Sequence, residues 1–278
     1  GDWSSDVCSS DLGFPYNKYG KEVCRTFFNH KLKEEGEINS VIAGKISNEP
    51  AIVKDIERGG SNKILHIPWQ GTLTFNSWFY KEDRPNRHNA RTVIEMLTDI
   101  ISKNGNLLLN VELLPDGTIP PDHKTILDDI GEWVNLNSKA IYASEPWKVY
   151  GDNLNSYLKR LEKEAVSEAD LEALKKQANS EHFNERTKES PLYGPEEVRY
   201  TTNGNMLYVF VLDPEKGKIE LPSLGKDSEH QPGTIRSIRM LGNNKRISFH
   251  QDSDKLILTV PESRPNKYAT VFEVEGVL

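Results

Sequence analysis

The sequence has few of the features that would indicate a disulfide scaffold, a membrane protein or a nucleic-acid-binding protein. Its two cysteines, Cys8 and Cys24, are too few for a disulfide framework, and no metal-ligand spacing accompanies them. No window approaches ~18 consecutive apolar residues, so no membrane span is predicted. The net charge of −7 argues against nucleic-acid binding, because such proteins present a basic face. No pattern predicts a metal or a cofactor.

The composition is that of a globular chain, long enough for one large domain or two of ordinary size. Hydrophobic residues make up 36% and charged residues 28% of the 278 positions. The first residues differ, since "DWSSDVCSSDL" (2–12) has no periodicity and resembles a sequencing adaptor read in one frame. We interpret residues 1–12 as an adaptor-derived artefact and expect the authentic sequence to start near Gly13, with its true beginning missing.

Helices and strands alternate in the first half of the chain. Residues 90–104 predict an amphipathic helix from the spacing of their apolar side chains, and Gly105 follows at the position of a C′ glycine. A similar stripe follows Pro120-Pro121, and a further helix is predicted over 18–33, with Val23 on its apolar side. Apolar runs of strand length lie at 38–45, 50–56, 62–76 and 106–111. This alternation indicates βα units and a parallel sheet.

The second half of the chain changes character. Residues 148–197 are charged and partly helical in pattern, which predicts a solvated linker or insertion. Residues 198–278 contain short strand-like runs about ten residues apart, and the first two form a predicted hairpin around Asn203-Gly204. Short strands at this spacing indicate an antiparallel β-sandwich.

Three stretches resemble the retaining α-L-fucosidases, a glycoside hydrolase family. "MLTDIISKNGNLLLNVELLPDGTIPP" (96–121) is similar to the family's last βα unit, and "IGEWVNLNSKAIYASEPW" (130–147) to its closing helix. "VRYTTNGNMLYVFVL" (198–212) is similar to the opening hairpin of its C-terminal domain. The resemblance implies a truncated (β/α)8-like TIM barrel over 13–147, with about three of eight strands, followed by the β-sandwich.

Glu57 follows a predicted strand and is the candidate general acid/base. It lies twelve residues before Trp69, a spacing at which the resemblance places the family's acid/base. Such a group protonates the glycosidic oxygen and later activates the water that releases the sugar. Asp55 is the rival candidate, because side chains alternate along a strand and both carboxylates share one face. The structural alternative for Glu57 is a rim ion pair with Arg58. Arg58 could also hold a neighbouring acid in place, and it is itself a substrate-binding candidate.

The resemblance assigns further residues to the site. Asp11 stands two places before Gly13, where the family's nucleophile should lie, although it belongs to the segment interpreted as an artefact. Lys45 matches an Arg that holds sugar hydroxyls, and Trp78 matches the aromatic residue that packs against the C6 methyl of fucose. Trp69 is a further substrate-binding candidate, with core packing as its alternative role.

The resemblance implies a fucosylated oligosaccharide or glycoconjugate as substrate and a secreted, periplasmic or extracellular location. Two departures from the family pattern, Lys45 in place of Arg and Glu112 after the Leu-Leu-Leu-Asn-Val run, leave a non-catalytic carbohydrate-binding protein as the alternative. A scaffold protein that uses residues 151–190 is a third reading. An open sheet edge invites aggregation, so we expect this chain alone to be inactive or poorly soluble.

Overall fold

The computed structural model shows a parallel sheet flanked by helices, followed by two antiparallel sheets. It describes residues 7–8, 17–45, 51–57, 60–82, 88–154, 167, 193–194, 196–212, 217–243 and 246–278. Most of the predicted linker, 148–197, lies outside the described residues.

The parallel sheet contains five strands in sequential order. They are β1 (Val7–Cys8), β2 (Val41–Gly44), β3 (Val53–Glu57), β4 (Trp69–Thr74) and β5 (Gly105–Asn110). Each strand pairs in parallel with its neighbour. The prediction of about three barrel strands was therefore too low. Four strands come from the predicted runs, and the two-residue β1 lies in the segment interpreted as an artefact, an interpretation that stays a prediction.

Helices α1 (Asn17–Glu35), α2 (Ala90–Ile101) and α3 (Pro121–Leu136) cover one face of this sheet and match the predicted stripes. The short α4 (Ser138–Ile141) packs against the sandwich instead, through Ala140. Asn89 caps α2, because its side chain accepts from the Thr92 amide while the Thr92 hydroxyl accepts from the Asn89 amide. The interpretation of Val23 as a packing residue of α1 was wrong: Val23 is exposed, and Cys24 is the buried neighbour instead.

Gly105 has a role different from the predicted one. It begins β5 rather than ending α2, and the positive φ of 69° at this connection belongs to Asn104. A Cβ atom on Gly105 would lie 2.5 Å from Cε2 of the buried Trp69 ring. The ring is held in place, since its Nε1 donates to the Lys103 carbonyl at 2.9 Å. Gly105 is therefore required for close packing of β5 on Trp69 and not for a left-handed turn.

The antiparallel region forms a β-sandwich, as predicted. Its strands are β6 (Glu145–Pro146), β7 (Val198–Asn203), β8 (Met206–Val211), β9 (Gly217–Leu221), β10 (Ser237–Met240), β11 (Phe249–Gln251), β12 (Leu256–Val260) and β13 (Thr270–Glu275). The larger sheet has the order β10-β13-β8-β7-β6, and the smaller sheet has the order β11-β12-β9. Strands β7 and β8 form the predicted hairpin, with Gly204 at a φ of +56°. Strand β9 was not predicted, because only two of its residues, Ile219 and Leu221, are both apolar and buried.

The larger sheet of the sandwich is buried on both faces. On one face Val209 and Phe272 pack against the smaller sheet, in a core that includes Leu256 and Leu258. On the other face Phe210 packs in a second cluster with residues of α2 and α3, including Ile94 and Trp133. This double burial explains why β8 is an almost continuous apolar run and does not alternate with polar residues.

A buried group of four charged side chains joins the barrel portion to the sandwich. Asp99 of α2 accepts from Nζ of Lys103 at 2.7 Å and from Nε of Arg199 of β7 at 2.6 Å. Arg199 also donates to Glu197 at 2.8 Å. The guanidinium lies 5.6 Å from the ring centroid of Tyr150. We call Asp99, Lys103, Glu197 and Arg199 the ionic cluster; it contains two charges of each sign.

Asp99 and Arg199 stay charged in the ionic cluster despite their burial. Burial opposes ionisation of Asp99, but the charges and hydrogen bonds of Lys103 and Arg199 outweigh it and lower the pKa of Asp99 to about 2. Burial likewise opposes the charge of Arg199, but Asp99 and Glu197 raise its pKa above the ordinary value. A charge left alone here would be buried without compensation.

Replacing Gly105 with Ala tests the contact with Trp69. We expect Gly105→Ala to lower the free energy of unfolding by about 1–3 kcal/mol, because the added methyl group overlaps a ring that cannot move freely. The matched control is Gly131→Ala in α3, where the added carbon would meet no atom within 4 Å among the described residues beyond its chain neighbours and the helix backbone. The control should be neutral or stabilising by up to about 1 kcal/mol, since Ala favours helix. Urea unfolding of both variants provides the measurement, and equal effects would contradict the packing argument.

Removing the charge of Asp99 tests the ionic cluster. At neutral pH we expect Asp99→Asn to cost about 3–5 kcal/mol, because Arg199 and Lys103 lose their shared carboxylate. The native pKa of Asp99 is depressed, so its contribution is present above the unfolded pKa of ~3.9 and is lost as pH falls towards about 2. The difference between wild type and variant should therefore shrink by about 2–3 kcal/mol over that range.

The measurement is urea unfolding at several pH values from 7 down to the acid limit. The control is Asp128→Asn, which removes an exposed carboxylate that pairs with Lys124 at 2.7 Å on the surface of α3. That variant should change stability by less than about 0.5 kcal/mol. A pH-independent effect of Asp99→Asn would overturn the assignment.

Candidate active site

The two faces of the parallel sheet differ in chemistry. Ile56, Trp69 and Leu73 point to the helix side, where they pack in clusters with Ile100 and Val93 of α2. Because side chains alternate along a strand, the residues between them line the opposite face. This inner face carries polar side chains. Gln70 lies near the amino end of β4 and Asp55 pairs with it, whereas the others lie nearer the carboxyl ends of the strands: Glu57, Thr72, Thr74, Asn110 and Glu112. In barrels of this type active sites lie at that end of the sheet.

Three of the predicted site residues lie together at this end. Lys45 directly follows β2, Glu57 is the last residue of β3, and Trp78 lies in the loop after β4. Nζ of Lys45 is 3.1 Å from Oε2 of Glu57 and 5.3 Å from the centroid of the Trp78 ring. The Lys45 side chain is 10% exposed, whereas that of Glu57 is 42% exposed. An accessible carboxylate is thus held by a buried ammonium group beside an aromatic ring.

Asp55 lies deeper in the sheet than Glu57. It is 5% exposed, and its Oδ1 accepts from the Thr72 hydroxyl at 2.6 Å across the β3–β4 pair. Gln70, the register partner of Asp55, is also buried, and its Nε2 has no hydrogen-bond partner in the described part of the chain. Of the two carboxylates on this face, Glu57 is therefore the one that solvent and a ligand reach.

The end of β5 holds the loop that carries Trp78. Glu112 is 4% exposed and its carboxylate accepts a hydrogen bond from the Ser77 amide. Nδ2 of Asn110 donates to the Trp78 carbonyl at 3.5 Å. Neither residue was predicted to belong to the site. Their period-two spacing on the inner face of β5 is the signal that would have indicated them.

The interpretation of Trp69 as a substrate-binding residue does not fit its position. Trp69 begins β4, at the opposite end of the strand from the group around Glu57, and it is 1% exposed. It faces Ile56 and Ile100 on the helix side, which is its alternative role of core packing. Phe79, which follows Trp78, is 79% exposed and does not belong to the core.

A separate cavity of about 350 Å³ lies on the helix side, between α2, α3 and residues 267–268. Its polar groups pair with one another. Asp129 accepts from the Tyr268 hydroxyl and lies 3.5 Å from Nζ of Lys267, while Arg91 donates to the Lys267 carbonyl at 3.0 Å. We therefore place the candidate site at the carboxyl ends of the strands and not in this cavity.

Comparison with protein families identifies both parts of the chain. Residues 2–139 match the model of the alpha-L-fucosidase family, and residues 194–275 match that of the alpha-L-fucosidase C-terminal domain. The chain belongs to the α-L-fucosidase family. The sequence resemblance is thereby confirmed, and with it membership in a family of glycoside hydrolases.

Individual relatives agree with this assignment. Tissue alpha-L-fucosidase of Mus musculus is 38% identical over 203 residues, which cover 72% of this chain and 34% of that protein. Tissue alpha-L-fucosidase of Homo sapiens is 27% identical over 209 residues, covering 72% and 35%. The structure of Thermotoga maritima alpha-fucosidase superposes with a TM-score of 0.66 at 24% identity, covering 97% of this chain and 52% of the other.

The superposition supports the predicted fold, a truncated barrel followed by a β-sandwich. The chain spans 34–35% of the length of the two curated relatives and about half of the solved structure. Asp11 and Arg58, two further predicted site residues, lie outside the described residues, so their positions relative to Glu57 stay predictions.

Among the described residues, no group of three or more His, Cys, Asp or Glu side chains is arranged to hold a metal ion. No helix in the described ranges is both long and apolar enough to cross a membrane.

Proposed function

We propose that the protein hydrolyses α-L-fucosidic linkages in fucosylated oligosaccharides or glycoconjugates with retention of configuration, and that Glu57 is its general acid/base. The observation that carries the proposal is the position of Glu57. It is an accessible carboxylate at the carboxyl end of β3, 3.1 Å from the ammonium group of Lys45, which also lies against Trp78. Family membership supports fucose as the sugar.

In the first step Glu57 acts as the acid. A second carboxylate attacks the anomeric carbon, the bond to the glycosidic oxygen breaks, and Glu57 gives its proton to that oxygen. The products are a covalent fucosyl-enzyme and the leaving alcohol. Glu57 suits this role because its side chain is 42% exposed and ends a strand at the mouth of the sheet.

In the second step Glu57 acts as the base. Its carboxylate takes a proton from water, the water oxygen attacks the anomeric carbon, and the bond to the second carboxylate breaks. We propose that the second carboxylate is an Asp at the position of Asp11, either Asp11 itself or the residue that the adaptor-like segment replaces. A retaining enzyme needs the two carboxyl groups about 5–5.5 Å apart.

The neighbours of Glu57 have complementary roles in this proposal. Trp78 presents an aromatic surface to the C6 methyl group of fucose, because a methyl group gains from burial against a ring. The ammonium group of Lys45 orients Glu57 and donates to sugar hydroxyls as a point charge, without the bidentate geometry that an Arg provides. By the same resemblance we infer that the protein acts outside the cytosol.

The test is Glu57→Gln in the complete protein. We expect hydrolysis of a fucoside with a poor leaving group to fall about 10²–10⁴-fold, because no proton reaches the glycosidic oxygen. For a 2,4-dinitrophenyl fucoside the rate of the first step should fall less, because the dinitrophenolate leaves without protonation. Added azide should restore turnover and yield the fucosyl azide with retained configuration, since azide attacks without a general base.

The matched control is Glu220→Gln, which removes an exposed carboxylate paired with Lys255 at 2.9 Å in the sandwich. It should leave all rates unchanged. Full activity of Glu57→Gln on the poor leaving group would place the acid/base elsewhere. Binding of fucosides by the unmodified protein without hydrolysis would instead favour the alternative, a carbohydrate-binding protein.

A further inference from the structure

Glu112 is a buried carboxylate whose hydrogen bond, within the described part of the chain, joins it to the loop after β4. Its side chain leaves the inner face two residues after β5 and accepts from the backbone amide of Ser77. Within the described ranges no Lys, Arg or His pairs with it, and the residue is 4% exposed. A buried carboxylate needs a hydrogen-bond donor, and here the donor is a backbone amide of the loop, so the contact ties Glu112 to the position of that loop.

The contact bears on the position of Trp78. The Ser77 amide lies one residue before Trp78, and the Trp78 carbonyl accepts from Asn110 at 3.5 Å. Two side chains from the end of β5 therefore hold the backbone on both sides of this residue. The base of the same loop is held as well, because the His88 amide donates to the Phe75 carbonyl at 3.2 Å.

Trp78 in turn lies against Lys45, the cation that pairs with Glu57. Its ring centroid is 5.3 Å from Nζ of Lys45, which is 3.1 Å from the Glu57 carboxylate. The contacts form a continuous series from the end of β5 through the loop after β4 to the ends of β2 and β3. A shift of the loop would move the ring relative to Lys45 and to any sugar bound beside it.

We propose that Glu112 is a positioning residue for Trp78, and that it thereby sets how strongly the site prefers a sugar with a methyl group at C6 over one with a hydroxymethyl group. The effect on sugar preference rests on the proposed function. The positioning of Trp78 depends only on the contacts at the ends of β4 and β5.

Two substitutions of similar volume separate the hydrogen bond from the space that Glu112 fills. Glu112→Gln keeps an oxygen that accepts from the Ser77 amide and removes the charge. Glu112→Met fills similar space and removes the acceptor. In the complete protein, the ratio of kcat/KM for 4-nitrophenyl α-L-fucoside to that for the α-L-galactoside should fall about tenfold in Glu112→Met. It should stay within about threefold of wild type in Glu112→Gln.

A double-substitution cycle shows whether the effect passes through the aromatic ring. In a Trp78→Leu background, Glu112→Met should produce no further change in the ratio, because the ring that Glu112 positions is gone. A further tenfold fall in that background would overturn the proposal, and so would a wild-type ratio in Glu112→Met. Should Glu112→Met not fold, Asn110→Ala removes the second contact to the loop, and an unchanged ratio there would count against the proposal.

A spectroscopic measurement distinguishes failure of this proposal from failure of the proposed function. The complete protein is labelled with 5-fluorotryptophan, and the Trp78 resonance in the fluorine spectrum is assigned from Trp78→Phe. The resonance should shift or broaden in Glu112→Met and keep its position in Glu112→Gln. A shift in a protein that hydrolyses no fucoside would overturn the proposed function and the sugar preference but support the positioning role. An unchanged resonance in Glu112→Met would overturn the positioning role itself.

Discussion

The bonds between Asp99 and its two cations are the contacts on which the arrangement of the two parts of the chain depends. They tie α2, which covers the parallel sheet, to β7, which belongs to the larger sheet of the sandwich. That sheet is buried on both faces, so its outer surface needs the barrel helices as a partner. The ionic cluster lies within this apolar contact and fixes its register, because a displaced Arg199 would leave buried charges unpaired.

The same segment of chain also supports the start of β4. The Lys103 carbonyl accepts from the Trp69 indole at 2.9 Å, while the Lys103 side chain belongs to the ionic cluster. Gly105 then admits the ring against β5. One end of β4 is thus anchored by packing, and its other end leads into the loop that carries Trp78. A rigid strand with its variable loop at the carboxyl end is the arrangement by which barrels separate stability from function.

Local patterns predicted some of these features well and others poorly, for identifiable reasons. Helix α2 and the β7–β8 hairpin were predictable because periodicity and turn residues act over short distances. The role of Gly105 was not predictable, since a glycine before a strand gives no indication of the ring that packs on it. For Trp69, core packing was only the alternative role. For the site, the end of β3 indicated Glu57. The contacts of Glu112 depend on a loop 35 residues away, which no local pattern reports.

Buried carboxylates in this chain are compensated in two different ways. Asp99 pairs with Lys103 and Arg199, and Glu197 pairs with Arg199, so the ionic cluster carries no net charge. Near the site, Asp55 accepts from a hydroxyl group and Glu112 from a backbone amide, both of which are neutral donors. Neutral donors compensate a buried charge less fully than cations do. Lys45 lies against the third carboxylate of this face, 3.1 Å from Glu57, and leaves it accessible for the proposed acid/base role. The two regions therefore use carboxylates differently: the ionic cluster ties α2 to β7 by burying opposite charges together, whereas the inner face holds Glu57 at the carboxyl end of β3 within reach of solvent.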